Sequence, residues 1–151
     1  MGKKGMIDIS EKQPTRRLAE AVAVIKSDAE TVQALKDNTL PKADPLPTAR
    51  AAALLALKRT PQLIPHCHPI PITDAEVEFE VRREEIVCCC RVATQARTGV
   101  EMEALCGAAM AALTLYDMIK GVCPGAEIRR TRLLEKSGGK HGHWRAEDTD
   151  D

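Results

Sequence analysis

Two apolar rhythms alternate along this chain. Residues 76–82 alternate strictly, with Val77, Phe79 and Val81 on one side and Glu76, Glu78, Glu80 and Arg82 on the other, which predicts a half-buried strand. Arg83-Glu84 is a polar turn into a second apolar run at 86–93, so the two runs predict an antiparallel hairpin. An earlier run at 18–25, carrying Val22, Val24 and Ile25, and a later one at 127–134 supply two more strands. Elsewhere the period lengthens to that of a helix. Ser27-Asp28-Ala29-Glu30 has the S-x-x-E form of a capping box, with Val32 and Leu35 following at helical spacing, and predicts a helix ending near Asp37-Asn38. Residues 48–58, rich in Ala and Leu, predict a second helix. Thr98-Gly99-Val100-Glu101 is another capping box and opens a long helix to about Lys120. Proline removes a donor and fixes φ, so Pro41, Pro45 and Pro47 predict a loop over 38–47, and Pro61, Pro65, Pro69 and Pro71 an irregular extended segment over 61–71.

The order strand, helix, helix, hairpin, helix, strand is the split βαβ arrangement with one helix added. It predicts an α+β fold, a ferredoxin-like antiparallel sheet with helices packed on one face plus an extra helix. A length of 151 residues fits one domain. That domain is placed at 13–142, after a flexible segment at 1–12 and before an acidic flexible tail at 143–151. Within the long helix, residues 104–115 are apolar or small on every side, Thr114 excepted. A helix apolar all round needs cover all round, and one sheet covers one side. The two other helices could supply the remaining cover, or a partner subunit could; of the two, a homo-oligomer is the expectation taken forward.

Composition narrows the partners. The 22 Lys and Arg balance 22 Asp and Glu, without the basic excess that tracks nucleic-acid phosphate. Phe79, Tyr116 and Trp144 are the only aromatic residues, too few for a base-stacking platform. The first dozen residues lack the apolar run of a signal peptide, and 104–115 is shorter than the ~20 residues that span a bilayer. Neither nucleic acid nor membrane is expected as a partner. Six cysteines form no CxxC pair and read as reduced thiols of a cytoplasmic protein. Cys88, Cys89 and Cys90 alternate faces on a strand and read as packing. His66-Cys67-His68 holds zinc-ligand residue types, but consecutive residues rarely converge on one ion and no second ligand pair has suitable spacing. No metal or cofactor is expected.

Three segments concentrate reactive groups: Ile64-Pro65-His66-Cys67-His68-Pro69, Thr98-Gly99-Val100-Glu101-Met102-Glu103-Ala104-Leu105 and Tyr116-Asp117-Met118-Ile119-Lys120. With Met6-Ile7-Asp8-Ile9-Ser10, Lys42-Ala43-Asp44, Thr48-Ala49-Arg50, Lys58-Arg59-Thr60-Pro61 and the run from Arg132 through Lys136-Ser137-Gly138-Gly139-Lys140, they occur in order over about 6–142. In these motifs the chain resembles the cyclic pyranopterin monophosphate synthase family of molybdenum-cofactor biosynthesis. The resemblance implies a lyase, acting without a metal, that turns a cyclised dihydro-GTP into cyclic pyranopterin monophosphate and diphosphate. It also implies a hexamer, a trimer of dimers, with active sites at dimer interfaces. Carried over residue by residue, it implies Lys42, Lys120 and Asp117 as catalytic groups and His66, Cys67, His68, Met102 and Glu103 as substrate-binding. Arg50, Lys58 and Lys136 fall at motif positions suited to phosphate contact. This chain departs from the family at Ala43, usually glycine, at His66, usually apolar, and at His141, commonly serine.

The chemistry fits those residue types. Cyclising a triphosphate needs preorganised cations for the leaving diphosphate, and rearranging the ring needs positioned acids and bases. Read alone, Asp117 and Lys120 are an i, i+3 surface pair, and Glu101 is a capping residue. Glu101 and Glu103 lie about 200° apart on a helix, so one pocket is not expected to receive both, and Glu103 is assigned to the ligand side. Glu103 and Asp117 share a helix face but stand about 21 Å apart, too far for one nucleotide-sized pocket in a single chain. If both serve one site, two chains should build it. His141 and His143 are expected to be solvated.

Overall fold

The computed structural model describes residues 2–147. Its elements in chain order are β1 (Thr15–Lys26), α1 (Ala29–Lys36), α2 (Pro45–Lys58), α3 (Thr60–Leu63), β2 (Asp74–Val81), β3 (Glu85–Ala96), α4 (Glu101–Ile119), β4 (Glu127–Ser137) and β5 (Trp144–Arg145). All strand pairs are antiparallel, in the order β2-β3-β1-β4-β5. Its first four members have the split βαβ order, and α2 and α4 cover one face, as an α+β ferredoxin-like fold requires.

The inner face of the sheet presents Ala19, Ala21, Ala23 and Ile25 from β1 and Ile86, Cys88, Cys90 and Val92 from β3. Against it α4 sets Ala104, Ala108, Ala111 and Leu115, and α2 adds Ala49, Ala53 and Leu57. Such small side chains let the layers approach closely. At Gly107 an added Cβ would sit 2.5 Å from the Cys90 Sγ, so that crossing accepts only glycine without a shift. Cys88 and Cys90 point into this core and Cys89 out of it, as strand alternation predicts, and all six thiols are free. By length and composition alone α4 could cross a membrane, but its inner side is core.

Several boundaries differ from expectation, each for a physical reason. β1, β3 and β4 extend past their apolar centres into polar ends, because ladder pairing of Thr15 with Ala96 and of Ala19 with Lys136 outweighs the weak local pattern. The loop expected through residue 47 ends at Asp44, which caps α2 by accepting from Leu46 N at 3.1 Å. Pro45 then occupies the first turn of α2, where a missing N–H costs no bond, and Pro61 does the same in α3. Ser27 is not the cap of α1. Asp28 is, accepting from Thr31 N at 2.6 Å, while Ser27 is buried with its Oγ unpartnered. The second capping box also fails to form: Val100 precedes α4 without a side-chain cap, and Glu101 pairs with a lysine instead. β5 forms inside the expected tail, where His143 is exposed as expected but also sets its Nε2 2.6 Å from Glu135 Oε1. The tail's Asp148, Asp150 and Asp151 lie outside the described residues.

The outer side of α4 stays uncovered. Cys106, Ala109 and Met110 are half-buried and Leu113 is 52% exposed, with Leu55 and Leu63 exposed beside them. A groove of about 270 Å³ runs there between Leu55, Arg59, Leu63 and Met110.

Candidate active site

The first turn of α4, the loop before it and the proline-bounded loop at 64–69 enclose a cavity of about 390 Å³. His66, Cys67, His68, Met102 and Glu103 line it together, as the motifs imply, and Ile7, Ile9 and Lys12 from the N-terminal segment complete it. Glu103 is only 3% exposed and has no ion-pair partner among the described residues. Burial pushes its carboxyl up to about 7, and the charge of Glu101 adds to the rise. A carboxyl titrating there is suited to both giving and taking a proton at neutral pH. The Cys67 thiol is pushed up by burial, then by Glu103 and Cys106, which makes it a poor nucleophile. Glu101 and Glu103 both line this cavity, contrary to the helical-wheel argument, because the cavity wraps around the helix start rather than lying along one face.

A second cavity of about 360 Å³ adjoins the first, sharing Lys12, Gly99 and Glu101. Arg17, Lys136, Lys140 and His141 line it, and Lys136 Nζ lies 3.0 Å from Glu101 Oε1. The strand β4 continues here into Gly138 and Gly139, both left-handed at φ of +93° and +77°. The Arg17 side chain lies directly against Gly139, where any Cβ would collide with its guanidinium, and Arg17 Nε donates to Thr15 Oγ1 at 2.8 Å. Four cationic side chains thus face one hollow that contains a single carboxylate. That arrangement suits a polyanion.

The third group lies at the other end of α4. Lys120 Nζ is 2.8 Å from Asp117 Oδ1, while Lys42 Nζ is 3.0 Å from the Asp117 carbonyl oxygen and 3.4 Å from Oδ2. Asp117 is therefore more than half of an i, i+3 pair. Lys120, then Lys42, holds its carboxyl below the usual range, and Asp117 raises Lys120 in return. Lys42 is delivered by a tight turn in which Ala43 N donates to Leu40 O at 3.1 Å and Ala43 itself is left-handed at φ +66°. This is the position where a glycine is usual in the family that the motifs resemble, and the conformation is the reason glycine suits it. Asp117 is 57% exposed, unlike Glu103, because nothing among the described residues covers the C-terminal end of α4 as the 64–69 loop covers its start.

Arg50 and Lys58 are brought to neither cavity. Arg50 Nε donates to Val77 O at 3.0 Å on the edge strand β2, and its guanidinium lies over Phe79, 5.4 Å from the ring centre. Lys58 is exposed in the last turn of α2. Conversely, Lys12, Arg17 and Lys140 line the cavities without having been singled out. Lys140 stood in a visible glycine motif, but Lys12 and Arg17 carry no local signal: Arg17 stands on β1, which pairs with β4 beside the glycine turn, and Lys12 lies in the segment just before that strand. Among the described residues no cluster of three His, Cys, Asp or Glu side chains could hold a metal ion.

Comparison with known proteins finds relatives over nearly the whole chain. The chain is 47% identical over 143 residues to "Cyclic pyranopterin monophosphate synthase 2" of Mycobacterium tuberculosis, covering 95% of this chain and 86% of that protein. It is 47% identical over 151 residues to the "Cyclic pyranopterin monophosphate synthase" of Thermomicrobium roseum, covering 97% and 90%. To the protein of the same name in Nitratidesulfovibrio vulgaris it is 49% identical over 144 residues, covering 94% and 89%. Residues 6–139 match the MoaC family, a span that takes in the whole Lys42, Asp117 and Lys120 cluster and all of both cavities but Gly5, Lys140 and His141, and on that match the chain belongs to the MoaC family.

Proposed function

We propose that this chain is a cytoplasmic lyase of molybdenum-cofactor biosynthesis, converting (8S)-3',8-cyclo-7,8-dihydroguanosine 5'-triphosphate to cyclic pyranopterin monophosphate with release of diphosphate. The observation that carries this reading is Asp117 holding two ammonium groups, Lys42 and Lys120, in a chain whose cation-lined cavity suits a triphosphate. Lys12, Arg17, Lys136 and Lys140 hold the phosphates. His68, Cys67, Met102 and Glu103 hold the purine-derived ring and sugar. In the cyclisation a sugar hydroxyl attacks the α-phosphorus as the bond to the leaving diphosphate breaks. Lys42 and Lys120 act there as general acid and base and offset the charge that builds on the leaving oxygens, with Asp117 orienting Lys120 or exchanging a proton with it.

The reaction needs both ends of α4, which lie about 21 Å apart. We assign the missing proximity to a second copy, paired antiparallel along the uncovered side of α4. A two-fold axis at Ala109 and Met110 sets Cys106 against Leu113 and brings Asp117 of one copy to Met102 and Glu103 of the other. The half-buried and exposed apolar residues of that side are what such a contact would cover. Three such dimers would form the hexamer.

Mixing two inactive variants tests this. Lys120→Ala and Glu103→Ala spoil opposite ends of the composite site, so each alone should release little diphosphate from the cyclised substrate. Mixed subunits in which one site of each two-fold pair is intact should recover about a quarter of wild-type turnover. A mixture as inactive as its components would place the whole site in one chain, and full activity of Lys120→Ala would remove Lys120 from the chemistry.

A further inference from the structure

Lys136 faces the same hollow as Lys12, Arg17 and Lys140, yet it is tied at 3.0 Å to Glu101, the one carboxylate there. Glu101 stands in the first turn of α4 and takes no part in a cap, since α4 begins without a side-chain cap. Its carboxylate lies back against Gly99, where any Cβ would collide with it, so a glycine makes the room in which it sits. Gly99 and Glu101 border both the cation-lined hollow and the cavity of Glu103, which puts this carboxylate where the two join. The fold draws little from it. The Lys136 and Glu101 side chains are partly exposed, and an ion pair in that setting adds little to stability. The helix dipole favours an acid in the first turn, but Glu103 already supplies one, and neither acid needs Lys136 for that purpose. In a hollow that receives a polyanion, a carboxylate works against binding.

That opposition has a use once the chemistry is done, given the reading of this hollow as the phosphate site, on which the inference rests. When the bond to the α-phosphorus breaks, the leaving oxygen keeps the electron pair. Diphosphate then carries more negative charge than the same two phosphates carried in the substrate. Four cations that hold the substrate would hold this product firmly, and turnover would wait on its departure. We propose that Glu101 is a positioning residue for diphosphate release: it competes with phosphate oxygens for the Lys136 ammonium and takes that ammonium back as diphosphate leaves. The substrate displaces the carboxylate because its phosphates are tethered to a ring and sugar held in the adjoining cavity, which raises their effective concentration at Lys136. Free diphosphate has lost that tether, so the same carboxylate prevails over it. One charge thereby discriminates between substrate and product, although both present phosphates to the same four cations.

Glu101→Gln keeps the shape of the side chain and removes its charge. Calorimetric titration with inorganic diphosphate should show about tenfold tighter binding to this variant than to the parent, at unchanged far-ultraviolet circular dichroism. Glu101→Ala, which lacks both charge and bulk, should also bind diphosphate more tightly. With the cyclised substrate, kcat and KM of Glu101→Gln should fall together and added diphosphate should inhibit more strongly, whereas loss of a residue that merely braced the site would raise KM. In a Lys136→Gln background the same substitution should gain less, because no ammonium is left to compete for. Diphosphate binding by Glu101→Gln and Glu101→Ala that is no tighter than the parent's, or an equal gain with and without Lys136, would overturn the proposal. Failure of the parent and of every variant to bind diphosphate would overturn the reading of the hollow as a phosphate site, and the proposal with it.

Discussion

Glu103→Gln removes a charge and keeps the side chain's shape, so its effect on stability isolates the ionisation of one buried carboxyl. Glu103 is 3% exposed, and burial first, with Glu101 second, raises it from 4.5 to about 7. Between those values the folded chain keeps a proton that the unfolded chain releases. The folded state then binds more protons, so stability falls as pH rises. The contribution is complete below about 4.5 and is lost as pH passes through about 7. A rise of roughly 2.5 units, at ~1.4 kcal/mol per unit, amounts to about 3 kcal/mol across the whole window, most of it between pH 5 and pH 8. Glutamine feels none of it. Glu103→Gln should therefore match the parent closely at pH 5 and exceed it by about 2–3 kcal/mol at pH 8, a shift of about 1 M in the urea midpoint. The comparison belongs in a Leu113→Glu background, which separates the α4 faces and keeps a second copy's lysines away from the carboxylate. Equal effects of the substitution at pH 5 and pH 8 would refute the reasoning, since the carboxyl would then titrate alike in the folded and unfolded chain.

Two further expectations concern the turns that shape the ends of the fold. Asp28→Ala removes the cap of α1 and should lower the melting temperature by about 2–4 °C, whereas Ser27→Ala, which deletes an unpartnered buried hydroxyl, should be neutral or stabilising; the opposite order would make Ser27 the cap. Ala43→Gly frees a left-handed Cβ worth ~1–2 kcal/mol against the ~0.5–1 kcal/mol entropic penalty of glycine, so calorimetry should show a gain of up to about 1 kcal/mol, and a loss would mean the turn is not strained.

The fold was legible where one rhythm filled a whole element. Val77, Phe79 and Val81 alternating with glutamates could only be a strand with one wet face, and the hairpin followed from the turn beside it. It was less legible where two signals competed. Ser27 and Asp28 both precede α1, and the shape of the S-x-x-E box hid the fact that Asp28 stands three residues from the Thr31 N–H it caps. Pro45 looked like a loop residue because the rule against proline in helices does not hold in the first turn. In the site, the residues on α4 and the 64–69 loop were visible because each sits in a compact motif. Arg17 was not, since its place beside Gly139 depends on β1 meeting β4, more than a hundred residues away in sequence.

The energetics of α4 themselves point to the same two places. Its middle, Ala104, Ala108, Ala111 and Ala112, is fully buried and serves the fold. Its ends do not. Glu103 at the start is a carboxyl whose ionisation destabilises the folded chain near neutral pH, so a glutamine or an apolar residue would serve packing better. The Lys42, Asp117 and Lys120 cluster at the other end is about half exposed, and ion pairs in that setting add little to stability. Two such features, one costly and one nearly neutral for folding, stand about four turns apart on one helix, and the fold explains neither. Groups that stability disfavours or ignores are where a chain's chemistry is expected to reside. Because Glu103 has no cation beside it among the described residues and Asp117 carries two, the ends are also electrostatic complements, which is what the proposed antiparallel second copy would exploit.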